Sequence, residues 1–472
     1  MHFSIPETEQ FVQNGSNAFI GYNIYINGSF HCCLRYKQLH SLHEQLKKSL
    51  ANLSLPPFPP KKFLTLTQSE LEQRRLGLER YLQLIGQDPV ISKSNLLRTF
   101  FLNAQQESAF IDTYETTIDV FLMNGYRISV NISTTECSSK VLEKALRAID
   151  LSEDCTYYFA LFLIRKESNG NVTLLRKLLD FESPFISLRT AHDCEIVIRR
   201  NYWDSSYDLD LMRDRIALNL LYIQSISDVE RGWVIANVDT RHKLSLLQAS
   251  GNKSEYMSIV RNLQSYGCLN FPNVICDFPD PNTNTTIIVG NQELSIRIQV
   301  GRQMQETKFR VTRMRCWRVT TIHNDKDYDK NLKNKNRYSF ELSFEYLMSK
   351  NCLRWIKLVT EQAMLISVCL QSMVDELLNQ KNGYDINNIQ NSHTSDLQID
   401  YIRRDDGSVS GKMSDSASDG SINSLSELKP MTRSNEVSKM KIKKKMSTSV
   451  FFKNGKESVQ NEAFENIGDD DL

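Results

Sequence analysis

The chain has 472 residues, room for about three domains of ordinary size, and its 57 Lys+Arg nearly balance 56 Asp+Glu. That balance excludes a global field pulling it toward nucleic acid or an anionic surface, so any membrane attraction must be local. No run reaches the ~20 apolar residues of a membrane span, and the ten cysteines form no Cys-x-x-Cys pair and follow no signal peptide, which fits buried thiols in a reducing cytosol.

Phe19 to Tyr25 runs into Asn27-Gly28, a dipeptide suited to a tight hairpin because both central residues take positive φ, and Phe30 to Leu34 returns. Asn27-Gly28-Ser29 also matches a glycosylation sequon, but without secretion it reads only as a turn. A helix follows with Leu39, Leu42, Leu46 and Leu50 at helical spacing. Pro56-Pro57-Phe58-Pro59-Pro60 predicts stiff polyproline II that fixes where Lys61 points. Phe63, Leu64 and Leu66 come next on a loop, where exposed apolar side chains can enter a bilayer interface. Thr67-Gln68-Ser69-Glu70 is a capping box for the next helix. On that helix Leu71, Leu78, Leu82 and Ile85 make one stripe flanked by Arg74 and Arg75. Arg74 lies nearer the stripe centre and should face the domain.

Arg35, Tyr36, Lys61 and Arg74 are the candidate binding residues of this first unit, 1–107. Arginine presents a planar fork matched to phosphate oxygens, lysine adds a point charge, and a tyrosine ring offers a flat floor for a sugar. The set suggests reading the headgroup of a phosphorylated lipid. Each cation alone reads equally well as a solvated edge charge with a buried stem; the proline brace and the tyrosine favour binding.

From Thr113 a second unit begins. Thr117 to Leu122 and Arg127 to Ile132 alternate about Asn124-Gly125 as a hairpin. A helix around Val141 to Ile149 follows, then the nearly all-apolar Tyr157 to Ile164 as a central strand, a ubiquitin-like order for 113–202. Residues 203–272 read as helical, with a buried-helix run at Ile216 to Ile223 and further stripes at Val229 to Trp233 and Tyr256 to Leu263. Strands return from about 273 to 360, and one helix over 361–379 closes a lobe spanning 273–387. In that helix Ile366, Leu370, Met373, Val374, Leu377 and Leu378 span about 140°, wider than the ~100° of an ordinary surface helix. Either all six are core, or the edge carrying Val374 and Leu378 serves a second contact.

Residues 388–455 are expected to lack order, being rich in serine, aspartate and glycine. Their lysine cluster, Lys439 to Lys445, reads as solvated. The last segment, 456–472, differs: Phe464, Ile467 and a terminal Leu472 behind Asp469, Asp470 and Asp471 offer an apolar anchor beside a free carboxylate.

Residues 1–107 resemble a PX (phox homology) domain, and much of the chain is similar to the PX–FERM sorting nexin family. The stretches that carry this include Met1 to Glu9, Phe344 to Lys350 and Ile467 to Leu472. The resemblance implies an α+β multidomain fold: a PX domain with a three-stranded sheet and helices, then a FERM module of ubiquitin-like, helical and phosphotyrosine-binding-type sandwich lobes, then a disordered tail. It implies that Arg35 holds the 3-phosphate of phosphatidylinositol 3-phosphate, with Tyr36 under the inositol ring, Lys61 on the 1-phosphate and Arg74 on the ring hydroxyls. Leu34 stands where such domains often carry a second arginine. It further implies a groove lined by Trp317, Leu347, Val374 and Leu378 for Asn-Pro-x-Tyr or Asn-x-x-Tyr signals in integrin-type and lipoprotein-receptor-type tails. By the same resemblance Phe464, Ile467, Asp470, Asp471 and Leu472 dock on the retriever complex, and the protein sits on the cytoplasmic face of early endosomes. Val459-Gln460-Asn461-Glu462-Ala463-Phe464 is itself a hydrophobe-x-Asn-x-x-aromatic string, so the tail is expected to occupy its own groove.

The rival reading is an enzyme. Cys194 lies six residues before Arg200, a phosphatase spacing, yet the intervening residues alternate as a strand without the glycine of an anion-cradling loop. His40, His43 and Glu44 lack zinc-site spacing. No catalytic residue, metal or cofactor is expected. A third reading, a FERM-type membrane–cytoskeleton linker, lacks the helical filament-binding segment that commonly ends such proteins.

Overall fold

The computed structural model describes every residue except 12–18, 51, 63–65, 168–169, 192, 302, 324–337, 383–399, 405–458 and 465–472. Among the described residues the strands form three sheets. The first unit holds β1 (Phe3–Phe11), β2 (Phe19–Ile26) and β3 (Ser29–Arg35), all antiparallel, with α1 (Tyr36–Ser49), α2 (Gln68–Gln87), α3 (Pro89–Lys93) and α4 (Asn95–Ala109). The expected hairpin turn is present, with Asn27 at φ 49° and Gly28 at φ 79°. A Cβ at Gly28 would stand 2.9 Å from Met364 Cγ, so the turn lies close against the helix that closes the last lobe. The Thr67/Glu70 capping box opens α2.

Two details depart from the sequence pattern. Strand β1 is an edge strand whose Glu7-Thr8-Glu9-Gln10 stretch lacks apolar alternation, so only Phe3, Ser4 and Ile5 are buried. Arg75, on the stripe's edge by the wheel, is buried more deeply than Arg74. It donates to the Ile5 carbonyl and pairs with Glu72 at 2.6 Å and Glu79 at 3.4 Å, pinning α2 to β1. Its partners, rather than its wheel angle, make that burial tolerable.

The next lobe contains β4 (Glu115–Phe121), β5 (Arg127–Ser133), α5 (Ser138–Arg147), β6 (Phe159–Lys166), β7 (Val172–Lys177), α6 (Pro184–Thr190) and β8 (Cys194–Arg200). Its strand order is β5-β4-β8-β6-β7, with β4 and β8 parallel. The apolar β6 is interior, between β8 and β7, as a run with no polar face requires. Tyr157 and Tyr158 belong to the short helical turn before it.

A helical lobe follows with α7 (Asp208–Leu211), α8 (Arg215–Glu230), α9 (Val238–Ser250) and α10 (Lys253–Val260). Trp233 lies beyond the end of α8. The last lobe comprises β9 (Leu269–Cys276), β10 (Thr283–Gly290), β11 (Glu293–Val300), β12 (Gln303–Arg310), β13 (Met314–His323), β14 (Tyr338–Ser349), β15 (Cys352–Val359), α11 (Ala363–Lys381) and β16 (Val459–Gln460). Strand β9 starts at Leu269, inside the span read from sequence as helical. Strand order is β12-β11-β10-β9-β15-β14-β13-β16.

The units share cores. Ala160, Phe162 and Ile164 of the ubiquitin-like sheet join Leu365, Cys369 and Met373 of α11 in one apolar cluster. Phe181 inserts into the core of the first unit, and Gln105 Oε1 accepts the Ser183 N–H at 2.8 Å. At the three-lobe junction Arg199 makes a two-pronged pair with Asp228 at 3.2 and 3.3 Å. Asp208 there accepts from Tyr202, from Tyr266 at 2.8 Å and from Arg261 at 2.9 Å.

Candidate functional site

The first site is built where β3 hands over to α1. Gln38, in the first turn of α1, accepts the Arg35 N–H through Oε1 at 2.8 Å. The Arg35 guanidinium carbon lies 3.1 Å from the centroid of the Phe19 ring, a distance only a face-on approach permits. Tyr36 donates its hydroxyl to the Pro59 carbonyl at 2.7 Å, which ties its ring to the proline segment carrying exposed Lys61. Gly77 lets α2 approach that segment, since a Cβ there would be 2.9 Å from Pro59 Cγ. Arg74 stands over the Tyr36 ring at 4.5 Å, and its buried Nη2 has no hydrogen-bond partner among the described residues. Burial pushes the Tyr36 phenol above its ordinary pKa, with the Arg74 charge opposing, so the ring stays neutral near pH 7.

Arg74 and Tyr36 therefore meet, Arg35 precedes Tyr36 in the chain with its guanidinium on Phe19, and Lys61 stands two residues beyond Pro59. The half-buried Arg74 side chain thus holds its unpaired Nη2 beside an aromatic face, a pairing suited to an oxygen-rich ring. Phe58 braces the floor, 5.6 Å from Tyr36 and 4.9 Å from both His43 and Tyr81. The roles of Phe19 and Phe58 escaped sequence reasoning, because aromatic residues carry no charge signal. Phe63 and Leu64 lie outside the described residues, and Leu66 is half-buried.

The second site lies between β13 and α11. Trp317 is fully buried and donates its indole N–H to Ser367 Oγ at 3.1 Å. Val374 is buried in the same cluster, with half-buried Leu378 packed against it. Leu347 is buried near the end of β14, where pairing with β15 shifts register between Leu347 and Ser349, while Leu342, Phe344 and Tyr346 of the same strand belong to the Trp317 cluster.

This groove is filled by the chain itself. Val459 and Gln460 pair antiparallel with Trp317 and Cys316, adding β16 to the sheet edge. Asn461 then turns the chain. Its Nδ2 donates to the Val311 carbonyl at 2.8 Å and the Met314 carbonyl at 2.6 Å, and its N–H donates to the Arg315 carbonyl at 3.1 Å. Its own Oδ1 and carbonyl accept the Ala463 and Phe464 N–H groups at 3.0 and 3.1 Å, closing a tight turn. Asn461 and Ala463 are buried, and Phe464 is half-buried. Ile467, Asp470, Asp471 and Leu472 lie outside the described residues.

Cys194 and Arg200 occupy opposite ends of extended β8, roughly 20 Å apart at the rise of a strand. No anion loop joins them.

Family models match the chain in the same order as these units. A PX domain model covers residues 22–104, and the F1 lobe model of the sorting nexin 17/27/31 FERM domain covers 116–203. The sorting nexin 17/31 F2 lobe model covers 204–264, and the sorting nexin 17 FERM C-terminal domain model covers 267–378. Sorting nexin-17 of Homo sapiens is 40% identical over 486 residues, covering 100% of both chains. The chain belongs to the sorting nexin-17 family. Sorting nexin-17 of Danio rerio is 39% identical, again over 100% of both chains. Sorting nexin-31 of Homo sapiens is 35% identical over 80% of this chain and 86% of its own. As in this family, the first unit is a PX domain and the next three lobes form a FERM module. Residues expected to lack order include 400–404, which are instead packed on the PX domain; the rest of 388–455 lies outside the described residues.

Proposed function

We propose that this sorting nexin is an endosomal cargo adaptor. Its PX domain takes phosphatidylinositol 3-phosphate, with Arg35 on the 3-phosphate, Tyr36 under the ring, Lys61 on the 1-phosphate and Arg74 on ring hydroxyls. Its third FERM lobe takes Asn-Pro-x-Tyr or Asn-x-x-Tyr signals of receptor tails, of integrin and lipoprotein-receptor type, in the groove beside Trp317. The released C-terminus, ending in Asp470, Asp471 and Leu472, engages retriever, which returns cargo to the plasma membrane.

The observation that supports this reading most is the Asn461 contact. A strand-plus-turn of the form hydrophobe-x-Asn-x-x-aromatic already fits the groove, with the asparagine amide spent on two backbone carbonyls. Strand addition gives affinity through main-chain bonds, and the asparagine site gives selectivity. A tethered tail competes at roughly millimolar effective concentration, so cargo entry and tail release are linked. A single lipid headgroup gives marginal membrane retention, and cargo in the same bilayer supplies the second attachment.

The test is calorimetric titration of the full chain with an Asn-Pro-x-Tyr peptide and its Asn→Asp counterpart. Aspartate offers no N–H to the two carbonyls, so binding should weaken at least about tenfold. Equal binding of the two peptides sinks the reading.

A further inference from the structure

Beyond α11 the chain crosses back to the PX domain, where residues 400–404 lie against α1 and α4. Polar side chains there read the backbone of this short segment. The Gln45 amide forms a reciprocal pair with Asp400, accepting its N–H at 3.1 Å and donating to its carbonyl at 2.9 Å. Gln38 Nε2 donates to the Ile402 carbonyl at 2.9 Å and to Glu107 at 2.9 Å. Glu107 in turn accepts the Tyr401 hydroxyl at 2.8 Å and the Arg404 N–H. The Tyr401 ring meets Phe100 edge-on at 5.4 Å. Arg404 is 4% exposed, with its guanidinium 5.5 Å from the Phe11 ring and 5.3 Å from Phe110, and it donates to Ser108 Oγ at 3.2 Å.

Two routes lead from this strap to one residue. Gln38 holds the strap with its Nε2 and the Arg35 N–H with its Oε1. Separately, Phe11 under Arg404 stacks on Phe19 at 5.0 Å and 12°, and Phe19 carries the Arg35 guanidinium. A backbone route and a ring route thus both end on Arg35.

We propose that Tyr401 and Arg404 are positioning residues for the phosphoinositide site. The strap fixes Gln38 and the Phe11–Phe19 stack, so Arg35 presents its donor fork in one orientation before the lipid arrives. Fixing a binding group in advance lowers the ordering cost at binding. The inference rests on the lipid reading above and adds residues far outside the PX domain in sequence to that site.

The experiment uses the full chain and two probes: soluble inositol 1,3-bisphosphate, and vesicles of phosphatidylcholine with phosphatidylinositol 3-phosphate. Tyr401→Ala, Arg404→Ala and a Gly-Ser replacement of 400–404 should each weaken soluble-headgroup binding about threefold to tenfold, the value of one or two lost hydrogen bonds. Cargo-peptide affinity should stay unchanged. In a double-mutant cycle with Arg35→Lys, the strap effect should disappear, because it acts through the residue replaced. Strap variants that bind the headgroup like wild type, while Arg35→Ala loses it, overturn this inference alone. An additive cycle, or a loss seen only on vesicles, also overturns it, since Arg404 would then act as a separate surface cation. If wild type and Arg35→Ala bind the headgroup alike, the lipid reading itself falls and takes the strap's role with it.

Discussion

Asn461 donates its side-chain amide to the Met314 carbonyl at 2.6 Å, across 147 positions of sequence. Because Asn461 is buried there, removing its donors leaves carbonyls facing no partner. Asn461→Asp, which keeps the shape but places a carboxylate against two carbonyls, should expel the tail. Fluorescence anisotropy with an Asn-Pro-x-Tyr peptide should then show about tenfold tighter apparent binding, as a competitor at roughly millimolar effective concentration is removed. An unchanged affinity would mean that the tail does not compete with cargo.

On the proposed lipid reading, Arg35 and Arg74 supply the donors for the headgroup. Charge-assisted hydrogen bonds contribute about 1.5–3 kcal/mol each, so Arg35→Ala should weaken capture on phosphatidylinositol 3-phosphate vesicles about tenfold to a hundredfold. Arg75→Ala should act differently. It breaks the tie between α2 and Ile5 and should lower PX stability, read as a fall in thermal midpoint.

Asp228 neutralises Arg199 inside the three-lobe junction, where the two side chains are 6% and 3% exposed. Asp228→Asn leaves a buried guanidinium without its counter-charge, a loss on the order of 3–5 kcal/mol. Chemical denaturation should show the FERM module destabilised by that order.

His31 gives a pH signature. Its Nε2 donates to the Phe101 carbonyl at 3.0 Å, and its ring meets Phe101 and Phe181 edge-on, at the seam between the PX domain and the first FERM lobe. Burial pushes its pKa from 6.5 down to about 4. As pH falls between those values the unfolded chain takes up a proton that the folded chain refuses, so stability declines at up to about 1.4 kcal/mol per pH unit and levels off below the folded value. His31→Asn should flatten that slope in denaturation curves recorded from pH 7 to pH 4.

Legibility in the sequence followed the physics of each contact. Helix α1 and strand β6 could be read because burial imposes a period on their own residues, 3.6 in one and none in the other. Arg74 and Arg75 flank the stripe of α2 alike, so the wheel could not show that Arg75 is the deeper of the two, a result that its partners Glu72, Glu79 and Ile5 decide. Strand β1 could not be read, since an edge strand needs few buried side chains. A groove lining such as Leu347 depends on which face of β14 points inward, which a single strand does not declare. The strap was invisible: the Gln38–Tyr401 contact spans 363 positions, and five residues in a polar stretch carry no periodic trace. The tail motif was readable in isolation, but only the register of Val459 on Trp317 shows it seated.

The short strand β16 is also a cover. Without it, the Cys316–Trp317 stretch of β13 would stand at the sheet edge with unpaired amide and carbonyl groups, a template on which an extended peptide could pair. The same six residues that seat the tail on this edge also guard the molecule against sticking to its own kind, and a chain lacking them should lose solubility.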